Sequence, residues 1–218
     1  MIPTNTAAGI RMVVLAAGFS SRLGRCKGLA GIRGVTLLRR TVRTLTPLAS
    51  GPVIVVLPPK AVRARAELRD QRVEFAASPH RSRGLSASVK RGLARARYSA
   101  AVLILPVDLA WLERRELERL IARWRGRRRA VVARRVGTRA GTPLILPRRL
   151  YPEARRIGGD FGLKELANTL PGEEVELVDL PSAALDVDTR EDLARARRRR
   201  RVPLRRAANS SLEMTGTP

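Results

Sequence analysis

Apolar residues fall into two alternating kinds of stretch along this chain. Short runs at residues 12–17, 53–57, 73–77, 101–105 and 130–133 are crowded with Val, Ile and Leu and predict buried strands. Between them, residues 35–45 place Leu37, Leu38, Val42 and Leu45 at helical spacing, and residues 113–124 do the same with Leu117, Leu120, Ile121 and Trp124. Near-continuous apolar strands need cover on both faces. The alternation therefore predicts one Rossmann-like α/β domain, a mainly parallel sheet with helices on both sides. Trp111 and Trp124 fit a helix packing face.

The later part of the chain changes character. Pro143 and Pro147 bracket residues 144–146, which predicts a short edge strand. Residues 148–169 follow as helix, glycine-rich turn at 158–162 and helix, and residues 175–180 return as a strand. Thr189 with Asp192 three residues on has the form of a capping box opening a last helix. No repeat of 20 to 50 residues is visible. The expected organisation is a domain over 10–202 and a mobile basic tail over 203–218.

Composition narrows the partners. The 218 residues are 44% hydrophobic, enough for one sizeable core. Lys and Arg number 44 against 19 Asp and Glu, a net charge of +25, and only Lys27, Lys60, Lys90 and Lys164 are lysines. That balance suits phosphate-bearing ligands, nucleic acid or an anionic surface without choosing among them. A lone cysteine, Cys26, supports no internal disulfide and points to a reducing compartment, the cytoplasm by default. The run at 12–17 is too short to cross a membrane, so a soluble protein is expected.

The stretch after the first strand carries the chemistry. Ala17 ends the run and Gly18 opens a loop of small residues that closes at Gly24 and Lys27. Backbone amides in such a bend can approach a ligand and form an anion-binding concavity, with Arg22 and Lys27 adding full charge. A P-loop is excluded because Gly24 is followed by Arg25-Cys26. A dinucleotide fingerprint is excluded because Gly18 and Gly24 are six apart with no glycine between. The alternative is a βα turn whose arginines merely face water; with four lysines in the chain, Lys27 at this place argues against it.

Leu15, Ala16, Ala17, Gly18, Ser20, Arg22, Gly24 and Lys27 fill every specified position of L-A-A-G-x-S-x-R-x-G-x-x-K, and the chain thereby resembles the MobA-like nucleotidyltransferases, which include molybdenum-cofactor guanylyl- and cytidylyltransferases and are related to sugar-phosphate nucleotidyltransferases. The resemblance extends in order from about residue 12 to 194 and implies a nucleotide-diphospho-sugar transferase-like fold. It also implies that Arg22 and Lys27 contact the phosphates of a nucleoside triphosphate. Cys26 replaces a proline common before the lysine.

Nucleotidyl transfer brings several anions together and calls for a divalent cation, Mg²⁺, held by one or two carboxylates. Asp108 follows the apolar run 101–105, at the strand end where open α/β sheets bind ligands. A helix N-cap or turn role is the alternative for this residue. The resemblance implies that Asp108 binds metal, although Ala110 stands where the family has proline. Asp186-Val187-Asp188-Thr189-Arg190-Glu191-Asp192-Leu193 resembles D-I-D-T-P-E-D-L, which implies Asp188 as second metal ligand, with Asp186 as the fallback.

Two further segments match. The segment from Ser78 through Gly84 to Ser86 and Ser88 resembles the family's N-P-x-x-x-x-G-M-x-x-S element, where Ser86 or Ser88 could touch the nucleotide and Ser86 could equally cap a helix. Gly158-Gly159-Asp160-Phe161-Gly162-Leu163-Lys164 resembles G-D-x-G-A-R over the acceptor side, retaining Asp160; a plain interhelical turn is the alternative. His80, the only histidine, fits a surface imidazole. The expected function is transfer of NMP, with CTP favoured by Ala16-Ala17-Gly18, to a phosphorylated small molecule such as molybdopterin. A basic nucleic-acid-binding protein, or a nucleotide binder without turnover, is the alternative. No aromatic residues cluster with the basic runs, which disfavours nucleic acid.

Overall fold

The computed structural model describes residues 9–20, 25–78, 84–184 and 186–198. Its centre is a seven-stranded sheet. In chain order the sheet strands are β1 (Ile10–Leu15), β6 (Val53–Leu57), β7 (Val73–Ala77), β8 (Ala101–Pro106), β9 (Val131–Val136), β10 (Arg139–Pro147) and β11 (Val175–Val178). Two small hairpins, β2 (Phe19–Ser20) with β3 (Arg25–Cys26) and β4 (Gly31–Ile32) with β5 (Val35–Thr36), lie between β1 and the first helix. The sheet order is β11-β9-β10-β8-β1-β6-β7, and β10 alone runs against its neighbours β8 and β9.

The apolar runs set this sheet because their two faces are both covered. Met12 and Val14 of β1 and Leu103 and Leu105 of β8 face one cluster, completed by helices α1 (Leu37–Leu45), α2 (Val62–Glu67), α4 (Arg114–Gly126) and α7 (Arg190–Arg198). Val13, Val102 and Ile104 face the other, under α3 (Gly84–Arg95), α5 (Tyr151–Arg156) and α6 (Leu163–Thr169). The helical spacing of Leu37, Leu38, Val42 and Leu45, and that of Leu117, Leu120, Ile121 and Trp124, buries the expected stripes. Thr36 caps α1, its Oγ1 accepting from the Arg39 N–H at 3.1 Å. Thr189 and Asp192 form the expected box at α7, with bonds of 3.0 and 2.9 Å.

One expectation is corrected. Residues 144–146 are not a short edge strand: they belong to the nine-residue β10, which pairs on both sides. The register shifts between Gly141 and Leu144, so Pro143 sits where the ladder is already interrupted and no amide is required of it. Pro147 lies at the last pair, opposite Ala101. The edges are β11 and β7 instead. The 203–218 tail and the end of the 10–202 domain fall outside the described residues. Among those described, no helix is long and apolar enough to cross a membrane.

Candidate active site

The connection from β1 leads to β6 on one side, while β8 lies on the other, which makes the carboxyl ends of β1 and β8 a topological switch point. The chain turns there in close register: the Val107 N–H donates to Leu15 O at 3.2 Å and the Ala16 N–H to Val56 O at 2.9 Å. Leu15 and Ala16 are buried, Ala17 is half-buried and Gly18 emerges exposed, with open space where a Cβ would stand. The backbone of Ser20 pairs with that of Arg25. Arg22 and Gly24 lie outside the described residues.

Lys27 begins a single 3-10 turn, and Gly28 behind it is buried against Leu38 and Val107. Its ammonium donates to Asp108 Oδ2 at 2.6 Å and also to Asp188 Oδ1. Burial alone would lower the Lys27 pKa, but the charges and hydrogen bonds of Asp108 and then Asp188 outweigh it and hold the value above the ordinary lysine one. The two aspartates meet because the 186–188 segment runs along the end of β8. Asp186 bridges Leu109, and the Val187 N–H donates to Asp108 O at 3.2 Å. Asp108 is no cap, since Glu113 occupies the N-cap of α4.

The carboxylates fit a hard divalent cation. Both present oxygen to one positive centre, and Asp108 Oδ1 is buried with no hydrogen-bond partner among the described residues. Two acids suit magnesium, which takes further ligands from phosphate and water. Among the described residues no group of three or more His, Cys, Asp and Glu could hold an ion by itself. Asp186 has a raised pKa, first through desolvation and then through the Asp108 charge.

A second cluster forms where α3 begins. Ser78 follows β7, its N–H donating to Leu57 O at 2.9 Å, and its buried hydroxyl accepts from Ser88 at 3.1 Å. Ser86 is buried, and its N–H donates to Gly159 O at 3.1 Å. Gly84, at φ +69°, lets the 158–162 turn lie directly on the helix start: a Cβ there would be 2.3 Å from Gly159 O and 2.9 Å from an Asp160 oxygen. The close approach permitted by Gly84 is thus with the chain's own backbone.

Motif reading missed what supports the acids. Glu116 of α4 is 4% exposed and its Oε1 accepts from the Ser182 N–H at 3.1 Å, while the Ser182 hydroxyl accepts from the Glu113 N–H at 3.1 Å. These bonds tie the turn before Asp186 to α4. Desolvation raises the Glu116 pKa. Its placement on an otherwise apolar helix face, one residue before Leu117, was the available signal.

Comparison with known proteins gives a consistent result. The family model for the MobA-like NTP transferase domain matches residues 12–175. A phosphoenolpyruvate guanylyltransferase of Rubrobacter xylanophilus is 33% identical over 183 residues, 82% of this chain and 87% of that protein. Among solved structures, Rv0371c of Mycobacterium tuberculosis H37Rv aligns with a TM-score of 0.73 at 27% identity, covering 87% of this chain and 98% of that one. A manganese complex of Rv0371c aligns at 0.70 and 25% identity, covering 86% and 97%. The fold is that of the nucleotide-diphospho-sugar transferases.

Proposed function

The chain belongs to the MobA-like NTP transferase family, and on that premise we propose that it transfers a nucleoside monophosphate from an NTP to a phosphorylated small molecule, releasing pyrophosphate. The observation that carries this reading is the convergence of Asp108 and Asp188, eighty residues apart in sequence, on Lys27 beside the β1 loop. Asp108 and Asp188 would hold Mg²⁺, which supplies positive charge to the reacting phosphates. The manganese complex of the mycobacterial relative supports a divalent ion.

The chain's own residues do the remaining work. Leu15, Ala16, Ala17 and Gly18 bring backbone close to the triphosphate, together with Ser20, Arg22 and Gly24 of the same motif. Lys27 balances negative charge on the leaving pyrophosphate. Ser78, Gly84 and Ser86 at the start of α3, with Asp160 packed on it, would serve the nucleotide and acceptor as the motif suggests. The acceptor phosphate already carries its nucleophilic oxygen as an anion, so alignment and charge neutralisation suffice without a histidine base.

For the donor, Ala16-Ala17-Gly18 favours CTP and with it a molybdopterin-type acceptor. A second reading, GTP with phosphoenolpyruvate, is favoured by the guanylyltransferase relative. The test is pyrophosphate release with Mg²⁺, each NTP in turn, and either phosphoenolpyruvate or molybdopterin. Release with one NTP and one acceptor supports the transfer; no release with any pair, alongside tight salt-sensitive DNA binding, would replace it with the nucleic-acid reading. Asp108→Ala should lower release by on the order of a hundredfold or more while melting as a folded protein. Undiminished turnover in that variant would remove Asp108 from the site.

A further inference from the structure

In-line displacement at the α-phosphorus places the attacking and leaving oxygens on opposite sides. The leaving pyrophosphate belongs with the β1 loop and Lys27. Asp108, at the end of β8, has β1 on one side and β10, then β9, on the other. An acceptor therefore enters over the ends of β10 and β9.

Arg134 stands at that place. It is half-buried toward the carboxyl end of β9, opposite Gly141 of β10 and Val178 of β11. Ala133, Leu144 and Ile104 form a row across the sheet and pack on the α3 side, whereas Val132 and Ile145 pack on the other. Strand alternation gives Arg134 the face of Val132, shared with Val187 of the acidic loop. Asp186 of that loop bridges Leu109, just past the end of β8.

The arginines around it are engaged differently. Arg135 pairs with Asp179 at 3.2 Å and donates to Leu177 O at 3.1 Å, and Arg119 donates to Asp179 O at 3.3 Å. No hydrogen bond or ion pair joins the Arg134 side chain to a described residue. A guanidinium on a half-buried residue that takes no side-chain partner from the described chain is suited to receive an anion in bidentate fashion.

We propose that Arg134 binds the anionic group of the acceptor, a phosphate or carboxylate, and so positions it opposite the pyrophosphate. This assignment rests on the transfer reading. It selects acceptors that carry an anion within reach of the reacting phosphate, and it makes Arg134 a specificity determinant with no part in nucleotide binding.

The test is equilibrium binding of phosphoenolpyruvate and of inorganic phosphate to the full chain saturated with Mg²⁺ and an α,β-methylene analogue of CTP or GTP. Arg134→Gln should weaken anion binding by about tenfold or more, and Arg134→Lys should recover part of it. Nucleotide affinity should stay within about twofold in both variants, which also reports that the fold is intact. Anion binding unchanged in Arg134→Gln, or neither anion bound by the wild type, overturns the assignment. Failure of the nucleotide analogues themselves to bind the wild type overturns the transfer reading instead.

Discussion

The docking of the 158–162 turn on α3 yields a graded prediction from three glycines. Gly84→Ala must hold a non-glycine residue at φ +69°, costing about 1–2 kcal/mol. Its Cβ would also fall 2.3 Å from Gly159 O, where ordinary contact begins near 3.4 Å, so the turn must retreat by about an ångström. That retreat breaks the 3.1 Å bond from the Ser86 N–H, for about 1 kcal/mol more. The total is about 2–3 kcal/mol, or roughly 4–12 °C in melting temperature for a chain of this size. Gly159→Ala, at φ +56° with nothing within 4 Å, should show the backbone cost alone. Gly158→Ala, with open space and no positive φ, should melt with the wild type. Urea and thermal melts of the three variants measure the series. A Gly84→Ala protein as stable as Gly158→Ala would show that the turn does not rest on the helix as described.

Two further predictions concern buried polar groups. Glu116 has a raised pKa in the folded protein, so its contribution to stability is fully present below the ordinary carboxylate range and is lost as pH rises through the raised value. Glu116→Gln keeps an oxygen for the Ser182 N–H. It should therefore be at least as stable as wild type at pH 7, with the difference closing below about pH 4 in urea titrations; a less stable variant at pH 7 would contradict the sign. Tyr151 bonds Ser99 at 3.0 Å in the core, and burial pushes its pKa up to about 12. Tyr151→Phe should cost about 1 kcal/mol at neutral pH. It should also abolish the loss of stability that wild type shows as pH climbs from the ordinary tyrosine value near 10 toward 12.

What the sequence made legible follows the range of the interactions involved. The bounds of β6 and β7 match the apolar runs residue for residue, because turns close each run at once and every position in β6 is buried. The length of β10 was hidden, because a proline excludes a central strand only where its missing amide would have been needed. The register shift at Gly141 removes that need. Asp108 could be found from its place after an apolar strand and Asp188 from its motif. Their meeting was expected only from the family resemblance, which made both acids ligands of one metal; the residues alone do not show it, since it depends on the Leu109–Asp186 bridge and on Glu116 fixing the turn at Ser182. Arg134 was one arginine among 40 until its neighbours were known.

The large positive charge has a partial explanation within the fold. β11 is an edge strand whose four residues are all only half-buried, so core packing holds it weakly. The strand and its approaches carry Glu173, Glu174, Glu176 and Asp179, a concentration of acids in a chain with 19. Arginines close over them from α4, β9 and the turn after β10: Arg123 lies 3.6 Å from Glu176, Arg119 donates to Asp179 O at 3.3 Å, Arg135 pairs with Asp179 at 3.2 Å, and Arg149 pairs with Glu174. Single exposed pairs contribute about 0–1 kcal/mol, so the fastening comes from their number and from arginine bonds to the backbone carbonyls of Glu173, Leu177 and Asp179. At this edge the arginines have partners within the chain, and their abundance is no argument for nucleic acid as a ligand. The same reasoning sets Arg134 apart, since on β9 it lies beside this web and its side chain takes no hydrogen bond or ion pair from the described part of it.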